Sequence, residues 1–271
     1  MQLVELQDVF STLRQHEIAL FAISYDPVSA LADFAERNAI EYPLLGDEGS
    51  HVIRALGLLD EALETHHAEF GGTVRDEQRG VCYPGVFILD ERGVVSQRRF
   101  QRNYRVRESG ASLLAQVLDI SPSDETAPET VDGPLVQIAA RLDSPTYWRY
   151  QRLRVIVDLA IAPGAHLFAH PTPAEYTPLS IEVTADRAVI GAPSLPAPVP
   201  FQLAGHGEQL WVHAGQLRIA VPLEFVMDRG EPMGDQTIGV RLRYQACTAT
   251  ICEPPREVMI QLVARERPSV A

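Results

Sequence analysis

The sequence predicts an α/β domain followed by an all-β domain. Helical and strand patterns alternate up to about residue 120, whereas strand and turn patterns alone follow it. The frequency of proline changes at the same point, since 3 of the 20 prolines precede residue 121 and 17 follow it. A stretch almost free of large apolar residues separates the two parts. We therefore predict a first domain over residues 1–120, a linker over 121–134 and a second domain over 135–267.

The first domain reads as a parallel α/β arrangement that ends in an antiparallel hairpin. Apolar spacing predicts helices over residues 3–13, after Pro27, after a Ser50 cap and around 113–118. Strands are predicted over residues 18–24 and 42–45 and in a hairpin over 86–96. Residues 59–80 are polar and predict an irregular insertion.

The second domain shows strands separated by prolines and glycines at the spacing of a sandwich. The candidate strands cover residues 152–161, 179–183, 210–212, 217–221, 237–244 and 258–263. About 130 residues of this kind predict an immunoglobulin-like β-sandwich.

Composition excludes several classes of function. A net charge of −13 argues against a nucleic-acid or anionic-membrane partner. The absence of an apolar run of about 18 residues argues against membrane insertion. Three cysteines are too few for a disulfide scaffold. We predict no cofactor and no metal, because His206 and His213 lack further ligands nearby in sequence.

Cys247 and Cys252 lie in one short connection between two predicted strands. A disulfide across so small a ring would stabilise the folded state by only about 2 kcal/mol through the entropy of the unfolded chain. This is little for a structural disulfide and is compatible with repeated opening. Pro254 and the proline after it stiffen the exit, and Tyr244 before the pair either offers a hydroxyl or packs. The residues alone leave three alternatives open: a redox centre, a structural disulfide, or two unpaired thiols.

The first domain resembles the alkyl hydroperoxide reductase/thiol-specific antioxidant (redoxin) family over roughly residues 1–118. The resemblance rests on AISYD at 22–26, YPLLGD at 42–47 and GVCYPGVFILDERG at 80–93. It implies a thioredoxin-like fold that lacks its first strand, with Pro84 as the cis-proline that enters the hairpin. The strand then lies upstream of Met1, is replaced by another segment, or is lost in a remnant domain.

The departures from that family concern its reactive groups. The cysteine that the family places at the start of the first helix is absent, and Pro84 stands where peroxiredoxins carry an arginine, three residues before Phe87. A peroxidase is therefore not expected. Cys82 is the remaining thiol of this domain, and we predict a small buried residue there, with a substitute reactive thiol as the alternative.

The second domain resembles the N-terminal, periplasmic domain of the thiol:disulfide interchange protein DsbD. The resemblance rests on residues 176–183, residues 222–240 and the segment YQAC at 244–247, with Cys252 and two prolines after it. It implies that Cys247 and Cys252 exchange electrons with a thioredoxin-like partner.

The sequence thus predicts a thiol–disulfide oxidoreductase. One alternative is a catalytically silent module that docks a redox partner, and another is a truncated redoxin whose active cysteine lies upstream of Met1. The first residues lack the basic and apolar segments of a signal peptide, which predicts a cytoplasmic location for the chain as written. A start further upstream would allow a periplasmic one.

Overall fold

The chain forms two compact units, Met1–Ile120 and Ser121–Ala271. A computed structural model describes residues 2–69, 72–100, 106–118, 128–202, 209–226 and 234–267. Residues 121–127 of the predicted linker lie outside these ranges. None of the helices within the described ranges is long and apolar enough to cross a membrane.

The N-terminal unit alternates helices and strands. Its helices are α1 (Gln2–Gln15), α2 (Val28–Arg37), α3 (His51–Ala55), α4 (Leu63–Glu69) and α5 (Gly110–Leu118). Its strands are β1 (Ala22–Ser24), β2 (Leu44–Gly46), β3 (Gly85–Leu89), β4 (Val95–Phe100) and β5 (Arg107–Glu108). The predicted alternation is confirmed, but helix α4 and a 3₁₀ turn at Asp76–Gln78 occupy much of the insertion that the polar pattern predicted to be irregular.

Four strands of this unit form two separate pairs within the described residues. Strand β1 pairs in parallel with β2, and β3 pairs antiparallel with β4. Buried Leu6, Tyr42 and Leu113 join α1 and α5 in one cluster, on which residues of β1, β2 and β3 also pack. The two strand pairs therefore share a helical layer without sharing a ladder.

Helix α3 begins differently from the prediction. Ser50 has a left-handed backbone and makes no side-chain cap, because its hydroxyl donates instead to the carbonyl oxygen of Gly80 at 3.1 Å. The carboxylate of Asp47 accepts from the backbone N–H of Val52 at 3.1 Å and of Ile53 at 2.9 Å. Asp47 therefore satisfies the free amides at the start of the helix, a role that sequence spacing assigned to Ser50.

Pro84 precedes the hairpin as predicted, but its peptide bond is not cis. The cis peptide bond of the described residues is His170–Pro171, in the C-terminal unit. The expectation of a cis-proline at Pro84 is wrong. The residue before it is held by a hydrogen bond from the Tyr83 N–H to the carbonyl of Leu58 at 2.8 Å.

The C-terminal unit is built from strands. They are β6 (Glu129–Asp132), β7 (Val136–Leu142), β8 (Thr146–Tyr147), β9 (Gln151–Ile161), β10 (His166–Phe168), β11 (Ser180–Ala185), β12 (Ala188–Ile190), β13 (Val199–Gln202), β14 (Gln209–His213), β15 (Gln216–Phe225), β16 (Gln236–Tyr244), β17 (Ala246–Cys247) and β18 (Arg256–Glu266). All six predicted strands are present with their boundaries moved by a few residues, and the all-β prediction is confirmed.

Two sheets enclose the core of this unit. One has the strand order β12-β15-β9-β7-β6, and the other has the order β11-β16-β18-β8. Alternate residues of β9 and β15 point inward from the first sheet, and alternate residues of β16 and β18 point inward from the second. Leu159 and Ile219 meet Val240 and Ile260 in this layer, which is the packing of a β-sandwich.

Part of the predicted linker is a strand. Glu129–Asp132 pairs with β7 as the edge strand β6, and Val131 packs against the core. Sequence patterns did not indicate strand β6, because an edge strand with one side in water needs few apolar residues.

Candidate thiol–disulfide site

A third, short sheet carries the cysteine pair. Its order is β13-β14-β10-β17. Strand β17 follows β16 after one residue, β10 follows β9 after a turn, and β14 leads into β15 through a turn. Strands from both layers of the sandwich therefore run on into the short sheet, which places it at one end of the sandwich.

Cys247 and Cys252 form a disulfide. Their Cα atoms are 4.0 Å apart, and they face each other across an isolated antiparallel bridge. The two residues differ in exposure: Cys247 is completely buried, whereas Cys252 is exposed. A reagent from solution therefore meets the disulfide from the side of Cys252.

The loop between the cysteines closes on itself. The Thr248 N–H donates to the carbonyl of Ile251 at 2.7 Å, and the Thr248 hydroxyl accepts from the Ile251 N–H at 3.1 Å. The Ile251 side chain at the tip is 67% exposed. The tip is thus an ordered turn that presents an apolar side chain to solvent beside Cys252.

Gln245 ties this turn to its surroundings. Its side-chain oxygen accepts from the Thr177 N–H at 3.0 Å, and its side-chain nitrogen donates to the carbonyl of Glu253 at 3.1 Å. The Glu253 N–H also donates to the carbonyl of Ala246 at 2.9 Å. Gln245 is buried, so one amide holds the segments before and after the cysteine pair together. Gln245 is part of the segment YQAC at 244–247, but sequence reasoning assigned it no role.

Aromatic residues surround the buried sulfur. Cys247 belongs to a cluster with Phe168, Leu210 and Val212, against which Tyr176 and Phe201 pack. The rings of Phe168 and Tyr176 are stacked with their centroids 4.2 Å apart. The buried half of the disulfide therefore lies in an apolar environment.

Two buried histidines lie on strands of the short sheet, and sequence reasoning assigned neither of them a role. His166 on β10 is the ladder partner of Cys247, and His213 on β14 is the partner of Leu167. Burial lowers the pKa of both imidazoles. No sequence signal marks the pairing of His166 with Cys247, because the two residues are far apart in the chain.

The supporting residues predicted for the pair have different surroundings. Tyr244 is 1% exposed and packs in the main core of the sandwich rather than in the cluster of Cys247. Burial raises the pKa of its phenol, which is also bonded to Arg256. Pro254 is exposed and directly follows the exit of the cysteine turn. Of the two, Pro254 is the one beside the disulfide.

Cys82 and Pro84 belong to the N-terminal unit. Cys82 is a partly buried free thiol, joined to Leu59 by an isolated bridge. Burial raises the pKa of its thiol more strongly than the nearby Arg107 lowers it. The thiol form is therefore favoured at neutral pH, which agrees with the predicted buried residue rather than with a reactive thiolate.

Comparison with known families divides the chain in the same way as the fold. Residues 1–98 match the AhpC/TSA family, and residues 139–264 match the family of the N-terminal domain of thiol:disulfide interchange protein DsbD. Both resemblances drawn from the residues are confirmed. The first unit is similar to AhpC/TSA proteins and the second to the DsbD N-terminal domain, and both matches support a role in thiol redox chemistry. No curated protein sequence matches the chain.

Three solved structures match parts of the chain at low similarity. The N-terminal periplasmic domain of ScsB from Proteus mirabilis is 14% identical with a TM-score of 0.36, covering 51% of this chain and 51% of that one. The reduced N-terminal domain of DsbD from Neisseria meningitidis is 18% identical with a TM-score of 0.29, covering 56% and 94%. The GAE domain of yeast GGA1 is 12% identical with a TM-score of 0.27, covering 50% and 97%. The chain therefore spans about half the length of the ScsB structure.

Proposed function

We propose that the protein exchanges electrons with a thioredoxin-like partner through the Cys247–Cys252 disulfide. The observation that carries the proposal is the unequal exposure of the two cysteines in an ordered turn. Exchange needs one sulfur within reach of an incoming thiolate and a second that leaves. Cys252 supplies the first and Cys247 the second.

The reaction balances as a two-electron transfer. A partner thiolate attacks Sγ of Cys252, a new disulfide forms between partner and protein, and the electron pair of the broken bond moves to Sγ of Cys247. The second thiol of the partner then attacks its own mixed-disulfide sulfur and releases Cys252. The partner dithiol is oxidised, the protein pair is reduced, and two protons pass to the two cysteines. The reverse order of steps oxidises the pair.

The turn suits repeated opening. The ring contributes only about 2 kcal/mol through chain entropy. The hydrogen bonds of Gln245 and the exposed Pro254 hold both segments of the turn independently of the disulfide. The two sulfurs therefore stay close after reduction, and reoxidation needs little rearrangement.

Trapping a mixed disulfide tests the assignment. With Cys247→Ser, the exposed Cys252 thiolate should attack a thioredoxin-like protein that lacks its resolving cysteine and carries its remaining cysteine as a mixed disulfide with 2-nitro-5-thiobenzoate. Thionitrobenzoate leaves, and the stable protein–protein disulfide is detected by mass spectrometry. With Cys252→Ser, the buried Cys247 should form at least tenfold less adduct. Cys82→Ser is the matched control and should leave trapping unchanged.

Two results would contradict the assignment. Equal trapping by both variants would remove the division of roles between the cysteines. A wild-type pair that is never reduced at physiological potentials would leave the catalytically silent docking module as the function.

We propose an oxidising compartment, such as the periplasm, as the site of action. A stable disulfide persists in such compartments and is rare in the cytosol. The solved ScsB domain is described as periplasmic, and nothing in the structure supports the cytoplasmic expectation. Quenching the cells in acid, redissolving the denatured protein at neutral pH and labelling it with a maleimide tests this. An oxidised pair leaves Cys82 as the one labelled cysteine, whereas three labelled cysteines would place the protein in a reducing compartment.

We propose that the N-terminal unit takes no catalytic part and presents an incomplete thioredoxin-like sheet. The two strand pairs β1-β2 and β3-β4 are separate, and the side chains of Phe21 and Ile23 on and beside β1 are exposed. Ala22 donates its N–H to Pro43 on the β2 side, so the N–H of Ile23 points to the other edge. Hydrogen exchange should therefore be faster at Ile23 than at Ala22. Equal protection of both amides would mean that a further strand covers this edge.

A further inference from the structure

His166 lies directly across a ladder from the buried cysteine. The antiparallel pairing of β10 with β17 places His166 opposite Cys247 and Leu167 opposite Ala246. Directly opposed residues project from the same face of a sheet, with their Cβ atoms about 4.5–5.5 Å apart. The imidazole and Sγ of Cys247 therefore share one face.

The imidazole is enclosed on that face. Its ring centroid is 4.3 Å from that of Phe201 and 5.4 Å from that of Phe168, and the residue is 4% exposed. Its Nε2 atom is buried and has no hydrogen-bond partner in the described part of the chain. A buried polar atom without a partner is rare in folded proteins and needs an explanation.

The exchange reaction supplies that explanation. When the disulfide opens at Cys252, the displaced electron pair moves to Sγ of Cys247, which is surrounded by Phe168, Leu210 and Val212. An anionic sulfur in such surroundings is strongly disfavoured unless a donor reaches it. Cys247 therefore needs a hydrogen-bond donor only in the open state, and His166 has an unused nitrogen on the same face.

We propose that Nε2 of His166 is the hydrogen-bond donor for the sulfur of Cys247 that leaves when the disulfide opens. The proposal rests on the exchange proposed at Cys247 and Cys252. It assigns the ring proton of the neutral imidazole to Nε2. Beside the intact disulfide the nitrogen has no partner, and beside the open one it donates to the new thiolate, which later takes its proton from solvent.

The groups that face His166 determine how its imidazole titrates. The residues that face it are Phe201 from β13, Phe168 from its own strand and Cys247 from β17, while Tyr176 stacks on the far side of Phe168. His213 of β14 projects from the opposite face, because its ladder partner is Leu167. Burial lowers the pKa of His166, so the ring protonates below its ordinary value near 6.5.

The test is the rate at which dithiothreitol reduces the disulfide of the full chain between pH 5 and 8, with each rate divided by the fraction of dithiothreitol present as thiolate. In the wild type this corrected rate should be constant where His166 is neutral and should rise as the pH falls toward the lowered pKa of His166, because an imidazolium is the stronger donor. With His166→Phe it should be flat and at least tenfold lower at pH 7. With His166→Gln, which keeps a donor, part of the rate should return without the pH dependence.

His213→Phe is the matched control, since it replaces a buried histidine of the same sheet on the opposite face; it should stay within twofold of the wild type. His166→Leu replaces His166→Phe if the latter fails to fold, and a corrected rate at pH 7 within twofold of the wild type in that variant would overturn the role of His166. An equal rate for the wild type and His166→Phe would do the same and leave the exchange function intact. A wild-type disulfide that resists reduction altogether would instead refute the exchange function.

Discussion

The side-chain amide of Gln245 donates a hydrogen bond to the carbonyl oxygen of Glu253 across the base of the cysteine turn, at 3.1 Å. Its oxygen accepts a second bond from Thr177 at 3.0 Å. Together with the bond from the Glu253 N–H to the carbonyl oxygen of Ala246, the Gln245 amide still links the base of the turn after the disulfide is reduced.

Gln245→Leu should destabilise the C-terminal unit by about 1–3 kcal/mol, because it leaves partly buried backbone groups of Thr177 and Glu253 without this partner. It should also widen the separation of the reduced thiols and slow reoxidation several-fold. Urea unfolding and the rate of disulfide formation measure the two effects. Gln261→Ala is the control, since that side chain is exposed on β18 and should change neither quantity. Normal reoxidation by Gln245→Leu would show that the turn alone holds the thiols together.

Tyr244→Phe should separate a role in folding from a role in exchange. Tyr244 packs in the sandwich core and its hydroxyl bonds to Arg256. Loss of that bond should cost about 1 kcal/mol of stability. The exchange rate with a thioredoxin-like partner should stay within twofold of the wild type. A tenfold lower exchange rate at unchanged stability would show that Tyr244 takes part in the exchange reaction.

Asp158 on the central strand β9 joins two arginines. Its carboxylate accepts from Arg141 at 2.8 Å and from Arg218 at 2.6 Å. Burial alone would raise the pKa of Asp158, but the hydrogen bonds from Arg218 and Arg141 outweigh it and lower the pKa. The pair's contribution is therefore present above the ordinary pKa near 3.9 and is lost as the pH falls through the folded value.

Asp158→Asn should lower the free energy of unfolding at pH 7 by about 1–3 kcal/mol, since it weakens two bonds to charged groups that are partly shielded from water. The loss should shrink toward pH 3. Glu182→Gln is the control, because the Glu182–Arg241 pair is about half exposed on both sides and should cost less than about 1 kcal/mol. Equal losses for both variants would refute a special role for the central pair.

Asp47 gives the N-terminal unit a separate dependence on pH. Backbone N–H donors at the start of α3, that of Ile53 foremost, lower the pKa of Asp47. A lowered pKa in the folded state stabilises above the ordinary value near 3.9, and the stability is lost as the pH falls. Asp47→Asn should lower the melting temperature by a few degrees at pH 7 and by less at pH 3.

Circular dichroism at 222 nm measures this change, since helices α1 to α5 all lie in the N-terminal unit. Glu48→Gln is the control, because Glu48 is the exposed neighbour of Asp47. A pH dependence that survives in Asp47→Asn would mean that another carboxylate controls the unit.

Local pattern determined much of this protein. The period of apolar residues along 152–161 and 237–244 predicted strands β9 and β16. The family motifs predicted a thioredoxin-like fold for the first half and the cysteine pair of the second half as the redox site. These features depend on neighbouring residues, because a strand buried on one face must alternate wherever it lies. The spacing of Cys247 and Cys252 likewise indicated a small ring before any fold was known.

The tertiary structure decided which cysteine is buried and what lies beside it. Register between strands far apart in the chain places His166 opposite Cys247, and the packing of the short sheet buries one sulfur and exposes the other. Competition among nearby polar groups chose Asp47 over Ser50 as the helix cap. Such outcomes depend on long-range pairing and on the energy of burying each group, and these are properties of the assembled fold rather than of any single stretch of sequence.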